Sequence, residues 1–465
     1  MKTSYDTIIV GAGPAGIFCA LTLLEKNPNH TIAIFDKGNA ISKRKCVRND
    51  TKNKKCVNCS PCHITTGFGG AGAFSDGKLT YSPNVGGWLT DYISEEELDE
   101  YYKIVDDIWS KGLDESILYE FNDEDLSYGC QMSGLQLINS KVRHLGTDRT
   151  TAIIQAMYDI LKDSDNVELF MNYNVTEVVK TTYENMIEGV IVNDSAFIRA
   201  KNVVLAPGRS GSGWLLDQMN KLGIKTTTNP VDIGVRVETS KVWADVLTEK
   251  LYDPKIVYYS SAFDDKIRTF CVNPGGEVVT ESYDDVITVN GHSNHNSQTK
   301  NTNFALLVST QFTEPFNEPV EYGKHIARLS NMISGNSVIV QRFGDLVKGR
   351  RTTENRLKKS TVIPTLNAVP GDLSFVLPHR YLIDIIEMIN KLDEVAPGIA
   401  NKDTLLYGVE VKFYSSRPNI NNNFEINGIK NLYVAGDGAG ITRGLSQASV
   451  NGIIVAENIL NETKT

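Results

Sequence analysis

An α/β fold in two interleaved parts is predicted for this 465-residue chain by three observations. A short β-branched strand, a glycine-rich turn, an apolar helix and a second apolar strand follow one another within residues 6–36. Two further apolar strands that end in glycine turns, at 203–208 and 432–438, lie far apart in the chain, so one sheet is completed from the C-terminal end. Between 229 and 404 the pattern changes to alternating strands followed by two helical stretches, which is the signature of an α+β domain. The expected layout is a parallel sheet with a β-meander, interrupted by an inserted α+β domain on a mixed or antiparallel sheet. Its boundaries fall at 1–228, 229–404 and 405–465.

The opening unit carries the clearest chemistry. Asp6–Val10 runs into Gly11-Ala-Gly13-Pro14-Ala15-Gly16, then a buried helix from Ile17 to Leu24, then strand Thr31–Phe35 ending in Asp36. This is β-α-β with G-x-G-x-x-G at the first turn and an acid twenty residues after the last glycine, a Rossmann-like dinucleotide fingerprint. Gly11 permits the tight turn, Gly13 admits a diphosphate to the backbone, and Gly16 lets the helix approach the strand. The helix N-terminus offers N–H groups and partial positive charge to phosphates, and Asp36 offers acceptors to ribose hydroxyls.

Composition and charge narrow the classes. Hydrophobic residues are 41% and charged residues 22%, a globular balance. A net charge of −9 argues against a general nucleic-acid binder and against attraction to anionic membranes. The uncharged run from Ile8 to Leu24 is short for a span, and its glycines belong to the fingerprint, so no membrane or targeting segment is expected and the location is expected to be cytoplasmic. Seven cysteines occur, four of them within residues 46–62, which in such a chain favours metal or redox chemistry over disulfide stapling.

GAGPAG with a following acid resembles the glutathione-reductase-like FAD flavoproteins, and Val203–Gly208 and Asn431–Gly438 resemble that superfamily's two returning strand-turns. More narrowly, the chain is similar to the FAD-dependent dehydrogenases related to that superfamily. The stretches that carry this likeness are Gly67–Lys78, His144–Asp148, Asp232–Glu238, Asn290–His292 and Tyr407–Tyr414. The resemblance implies FAD held by Gly11, Gly13, Pro14, Ala15, Gly16, Asp36, Lys37, Gly69, Gly70, Ala206 and Gly208. It also implies that the Val175 backbone meets the adenine, and that Gly436, Asp437, Gly444, Leu445 and Ser446 meet the ribityl chain and flavin. A helix from Leu445 to Leu460 would bring its positive end to the flavin, with Arg443 at the same turn as a flavin contact, a substrate contact or a solvated loop residue.

The remaining organisation is read more coarsely. Residues 84–163 are mostly helical in pattern, with helices at Ile93–Trp109 and Thr150–Leu161. Residues 165–206 read as strands of a meander. In the inserted domain strands are expected at Asp232–Glu238, Ile256–Ser260, Ile267–Val272, Val286–Val289 and Phe304–Ser309, with helices at Val320–Ile333 and Tyr381–Val395. Alternation over Val409–Tyr414 puts Glu410, Lys412 and Tyr414 on one face, which lines a cavity or faces solvent. Gly208–Gly213 imitates a second nucleotide loop, but no acid-ended strand follows, so a dedicated nicotinamide domain is not expected. A basic run, Lys348 to Lys359, reads as a solvated face or as a contact for an anionic substrate or acidic electron carrier.

Cys46, Cys56, Cys59 and Cys62 form C-x9-C-x2-C-x2-C among seven cations. Four readings stay open: an iron–sulfur cluster, a structural zinc, a redox disulfide joining Cys56 to Cys59 or Cys62, or an inert loop. Positive neighbours favour thiolates in all but the last. Cys62, His63, Glu410, Lys412 and Arg443 are the candidate catalytic residues. The function expected is an FAD-dependent oxidoreductase that moves hydride or electrons between flavin N5 and a small organic substrate, with a protein electron carrier as a further partner. The alternatives are a thiol/disulfide-linked flavoprotein, or a redox-sensing or tRNA-associated one.

Overall fold

The computed structural model describes residues 2–46, 59–75, 77–111, 118–120, 123–251, 253–283, 285–292, 298–313, 315–316 and 318–462. The chain divides into two units: residues 1–118, 143–229 and 415–465 form the first, and residues 119–142 and 230–414 the second.

A seven-stranded sheet organises the first unit, in the order Val167–Met171, Ile32–Asp36, Ser4–Val10, Ala196–Leu205, Ile187–Val192, Val175–Lys180, with Leu432–Val434 also on Ala196–Leu205. The strand Ala196–Leu205 serves two neighbours. Its start pairs antiparallel with Ile187–Val192, and it runs parallel to Ser4–Val10. The register decides where the motifs fall. Val10 stands beside both Phe35 and Leu205, and Leu205 beside Val434. Four parallel strands therefore end at one sheet edge, which brings Gly11, Asp36, Ala206 and Gly436 together at the edge where ligands of open α/β sheets bind.

Helix Pro14–Lys26 starts with proline at its first turn and buries Ile17, Phe18, Ala20 and Leu23 in the sheet's core. The C-terminal helix, Leu445–Glu462, is buried along nearly its whole length and lies on this first helix. Gly452 makes the approach possible, since a Cβ there would stand 2.1 Å from the carbonyl oxygen of Ala15. The acidic helix Glu95–Trp109 begins with a capping box in which Ser94 Oγ accepts from Glu97 N and Glu97 accepts from Ser94 N.

The second unit is built on an eight-stranded sheet. Its order is Val369–Pro370, Ile339–Arg342, Leu405–Lys412, Val231–Ser240, Asn301–Thr310, Lys266–Pro274, Lys255–Tyr259, Gln136–Ile138. All neighbours are antiparallel except the first pair. Strand alternation sends Ile233, Val235, Val237, Val409 and Val411 into an apolar core with helices Pro319–Ile333 and His379–Val395. The opposite face carries Asp232, Arg236, Glu238, Glu410 and Lys412, and the hairpin Glu277–Tyr283/Val286–His292 forms a two-stranded sheet of its own.

Three sequence expectations change. Leu405–Lys412 belongs to the second unit because it is hydrogen-bonded in register to Val231–Ser240, so the first unit resumes at Ser415 and not at 405. The segment 84–163 is broken by strands, and Gln136–Ile138 pairs with Lys255–Tyr259. Glu277–Tyr283 and Ile339–Arg342 are strands that the pattern did not reveal. Among the described residues no helix is long and apolar enough to cross a membrane.

Candidate functional site

The first glycine turn is shaped by backbone contacts. Gly11 has φ +107°, and a Cβ on it would stand 2.1 Å from the Ala206 oxygen, so only glycine fits between these two strand ends. Gly16 is equally constrained, its Cβ position lying 2.1 Å from the Gly11 oxygen. Gly13 differs, because the nearest atom to its Cβ position is the Cα of Gly70, 4.0 Å away. Gly69 N donates to Ala12 O at 2.7 Å and sets the 67–70 loop over the turn. Gly13 and Gly70 thus face each other without side chains, at the uncapped N-terminus of helix Pro14–Lys26.

Asp36 is positioned for its expected role. Its two carboxylate oxygens accept the N–H of Ala12 at 2.9 Å and of Gly38 at 2.8 Å. Each oxygen keeps capacity for a further donor such as a ribose hydroxyl. Lys37 is exposed, and Val175 is buried at the start of its strand.

The returning turns stack on one another. A Cβ on Gly438 would stand 2.4 Å from Gly208 O, so the turns after Leu205 and after Val434 touch backbone to backbone. Asp437 Oδ1 accepts from Thr442 Oγ1 at 2.8 Å, and its Oδ2 accepts from Gly444 N at 3.3 Å. Burial raises the pKa of this carboxyl, against the opposing pull of Arg209, Thr442 and Gly444. Gly436 N donates at 2.8 Å to the side-chain oxygen of Asn451, a buried residue that sequence reasoning missed. Leu445 opens the last helix and reaches the 70–74 segment, where a Cβ on Gly72 would meet its Cδ2 at 2.4 Å. Ser446 is buried and Arg443 half-buried beside it. These residues fit an extended dinucleotide: a side-chain-free cradle, an acid at the second strand end, and a polar turn with a helix N-terminus at the fourth.

The segment leading to the 67–70 loop is held by another residue that the sequence did not single out. Arg44 is buried, and its Nε, Nη1 and Nη2 donate to the carbonyls of His63, Phe68 and Ile64 at 2.9, 2.6 and 2.5 Å, with the guanidinium over the Phe74 ring. Burial pulls its pKa down to about 10, with Asp36 and Cys62 opposing. Cys62 is exposed. Partial burial pushes its thiol pKa up, but backbone N–H groups of Ile64 and Thr65, the Thr65 hydroxyl and Arg44 outweigh this and leave it below the ordinary value. His63 enters this structure through its carbonyl.

The cysteine-cluster expectation finds no support among the described residues. Among the described residues no group of three or more His, Cys, Asp or Glu side chains is placed to hold a metal, so Cys46, Cys59 and Cys62 do not gather as ligands. Cys56 lies outside the described residues. The iron–sulfur and zinc readings therefore have no geometric support.

Glu410 and Lys412 occupy the polar face of the second unit's sheet. Both are buried, which removes the solvent-facing alternative. Glu410 Oε2 lies 3.5 Å from Arg236 Nη1, and Lys412 Nζ lies 3.1 Å from Glu410 Oε1 and 3.5 Å from Glu281 Oε2. Arg236 is anchored through Nε and Nη2 to Asn303 Oδ1 at 2.8 and 2.6 Å and through Nη2 to Cys271 O at 2.7 Å. Its Nη1, both oxygens of Glu410 and Asn303 Nδ2 make no hydrogen bond among the described residues. Buried charges cost several kcal/mol each unless well partnered, so such a layer is poor stability design and a reasonable place for polar recognition (roughly that magnitude per ion).

Comparison with known proteins adds the following. Residues 230–413 match the family model described as FAD-dependent protein, C-terminal domain-like. An uncharacterized protein of Clostridium beijerinckii (strain ATCC 51743 / NCIMB 8052) is 29% identical, over 98% of this chain and 80% of its own length. Among solved structures, a formate oxidase has a TM-score of 0.48 at 12% identity over 99% of each chain. A variant of the Aspergillus oryzae RIB40 formate oxidase has a TM-score of 0.45 at 12% identity over the same shares. The matched family model in the second unit, with the dinucleotide cradle of the first, makes this chain an FAD-dependent oxidoreductase.

Proposed function

We propose that the chain transfers hydride, or an electron pair, between FAD seated on the Gly11–Gly16 turn and a small organic substrate. The observation that carries this reading is the close, side-chain-free approach of Gly13 and Gly70 at a helix N-terminus, beside an Asp36 whose oxygens are aimed by two backbone N–H groups.

Bound FAD would supply hydride acceptance and donation at its N5. This chain's residues would do the rest. N–H groups of the first helix turn would bind the diphosphate, Asp36 the adenosine ribose, and Asp437 the ribityl hydroxyls. The N-terminus of helix Leu445–Glu462, with Arg443, would favour negative charge on the pyrimidine side of the flavin. In the second unit, the buried layer of Glu410, Lys412 and Arg236 would bind a polar group of a small molecule. Cys62 supports a thiol-linked reading as the second choice, because its surroundings favour the thiolate.

An absorption spectrum of the purified protein tests the reading. Flavin bands that vanish in Asp36→Ala and return with added FAD are expected. Colourless protein that takes up no FAD on reconstitution overturns it. Iron and zinc analysis of the same sample tests the cysteine cluster, and bleaching of the flavin by a panel of small alcohols, amines and hydroxy acids under anaerobic conditions selects the substrate class.

A further inference from the structure

We propose that residues 347–363 together with Phe375, in the second unit, form a docking surface for a small acidic one-electron carrier protein. The inference rests on the FAD-dependent oxidoreductase reading and names a partner for it.

The segment 342–363 holds seven cations and two carboxylates in a chain whose net charge is −9. Of these two carboxylates Glu354 is exposed, whereas Asp345, like the neighbouring Asp403, is buried. Asp345, 1% exposed, accepts from Arg350 Nε at 2.8 Å and from Thr352 Oγ1 at 2.9 Å, and lies 4.0 Å from both Arg342 and Arg356. Asp403, also buried, takes Arg342 Nη2 at 2.5 Å and the N–H and hydroxyl of Thr361 at 3.2 and 3.0 Å. Lys348, Arg351, Lys358 and Lys359 remain on the outside, all exposed, and no side-chain ion pair is recorded for them among the described residues. Most of the segment's positive charge is thus turned outward, while Asp345 and Asp403 staple the loop from beneath.

Exposed apolar groups stand in the same segment and in the 372–375 turn hydrogen-bonded to it. Val347 is 55% exposed, Ile363 74% and Phe375 70%. Ile363 follows the Thr361 that is tied to Asp403. Phe375 follows Asp372, whose Oδ1 accepts from Gln341 Nε2, and that nitrogen also donates to Arg350 O at 2.9 Å. Exposed apolar side chains in a segment rich in exposed cations suit a steered protein contact. A long polyanion such as RNA, or an anionic membrane, would meet the acidic remainder of the chain, whereas a small acidic protein meets only the patch.

The chemistry asks for such a partner. A substrate losing two hydrogens yields two electrons and two protons. Two one-electron carriers take one electron each, and the protons go to water. The chain's second glycine loop at 208–213 lacks the acid-ended strand of a dedicated nicotinamide domain, and a one-electron carrier is an acceptor that needs no such domain.

Titration calorimetry of the full FAD-loaded chain, with an acidic plant-type ferredoxin and with a flavodoxin as probes, tests this. One carrier should bind, about tenfold more weakly when salt rises from about 50 to about 200 mM. K348E/R351E/K358E/K359E should lose at least about tenfold in affinity, while the control K221E/K225E keeps it. Phe375→Ser should weaken binding and leave the salt dependence intact, and it covers the case in which the quadruple variant fails to fold. Failure of both carriers to bind, equal binding by the quadruple variant, or tighter binding of a 20-nucleotide RNA or of anionic vesicles overturns the proposal. Flavin content is read separately, so colourless protein that still binds a carrier sinks the FAD reading alone.

Discussion

The side-chain oxygen of Asn451 accepts the backbone N–H of Gly436 at 2.8 Å, both residues being buried. Asn451 sits on the C-terminal helix, and Gly436 is the turn at the end of the fourth parallel strand, where Asp437 is presented. The bond fixes that turn against the helix. Asn451→Leu leaves a buried N–H without a partner, at a cost of about 1–3 kcal/mol. The expected result is a lower melting temperature together with weaker FAD binding, whereas Asn451→Asp, which keeps an acceptor, retains most of both. Equal FAD affinity in Asn451→Leu would show that the turn holds without it.

Gly13 and Gly452 make opposite predictions from the same substitution. The Cβ position of Gly13 has its nearest neighbour 4.0 Å away, and its φ of −80° suits any residue, so Gly13→Ala should leave the apoprotein's stability within about 0.5 kcal/mol. It should nonetheless lower FAD affinity by about tenfold or more, since the methyl group enters the space meant for the diphosphate. Gly452→Ala puts a methyl group 2.1 Å from Ala15 O, so the two helices must separate and the apoprotein should lose roughly 2–4 kcal/mol. Urea melts of both apoproteins, with FAD titration, separate the two effects.

Cys62 should be the thiol that reacts first. The N–H groups of Ile64 and Thr65 and the nearby Arg44 favour its thiolate, whereas burial pushes Cys19 well above the ordinary value and Cys130 up to about 11. Iodoacetamide labelling followed by peptide mass analysis should show Cys62 modified with a midpoint pH below that of an ordinary thiol, and Cys19 and Cys130 untouched until the protein unfolds. Thr65→Val should move the Cys62 midpoint upward. A Cys62 profile identical to that of free cysteine contradicts the assignment.

The cradle was legible because it is local: strand, glycine spacing, helix and Asp36 occupy thirty-one consecutive residues, each dictated by backbone sterics. What long-range pairing decides was not legible. Leu405–Lys412 carries the same apolar alternation wherever it pairs, and only its bonds to Val231–Ser240 assign it to the second unit. Glu277–Tyr283 was missed because glutamate, serine and threonine dilute its strand signal, and its hairpin partner supplies the missing constraint. Arg44 left no trace in spacing, since a guanidinium that collects three carbonyls follows no period. Asn451 did leave one: an amide beside the apolar run Gly452–Ala456, at a depth where a polar group needs a partner.

The pH dependence of stability should carry the mark of Asp384. This buried residue of helix His379–Val395 has its pKa raised to about 6, chiefly by burial and further by the neighbouring Asp265, with Ser260 and Arg380 opposing. Asp265 is shifted the other way, below its ordinary value, by its pairing with Arg380. The signs follow from proton binding. Asp384 holds its proton more tightly in the folded chain than in the unfolded one, so its contribution is present at low pH and is lost as pH rises from about 4 to about 6. Asp265 contributes above pH 4 and loses its share only below that. Between pH 4 and 6.5 the wild type should therefore lose about 1–2 kcal/mol from the Asp384 carboxyl, after allowance for screening by nearby solvent. Asp384→Asn, which stays neutral throughout, should flatten the curve in that window and stabilise the protein at pH 7 relative to wild type. Urea melts of both proteins at half-unit pH steps would show it, and parallel curves would mean that Asp384 titrates like an exposed carboxylate.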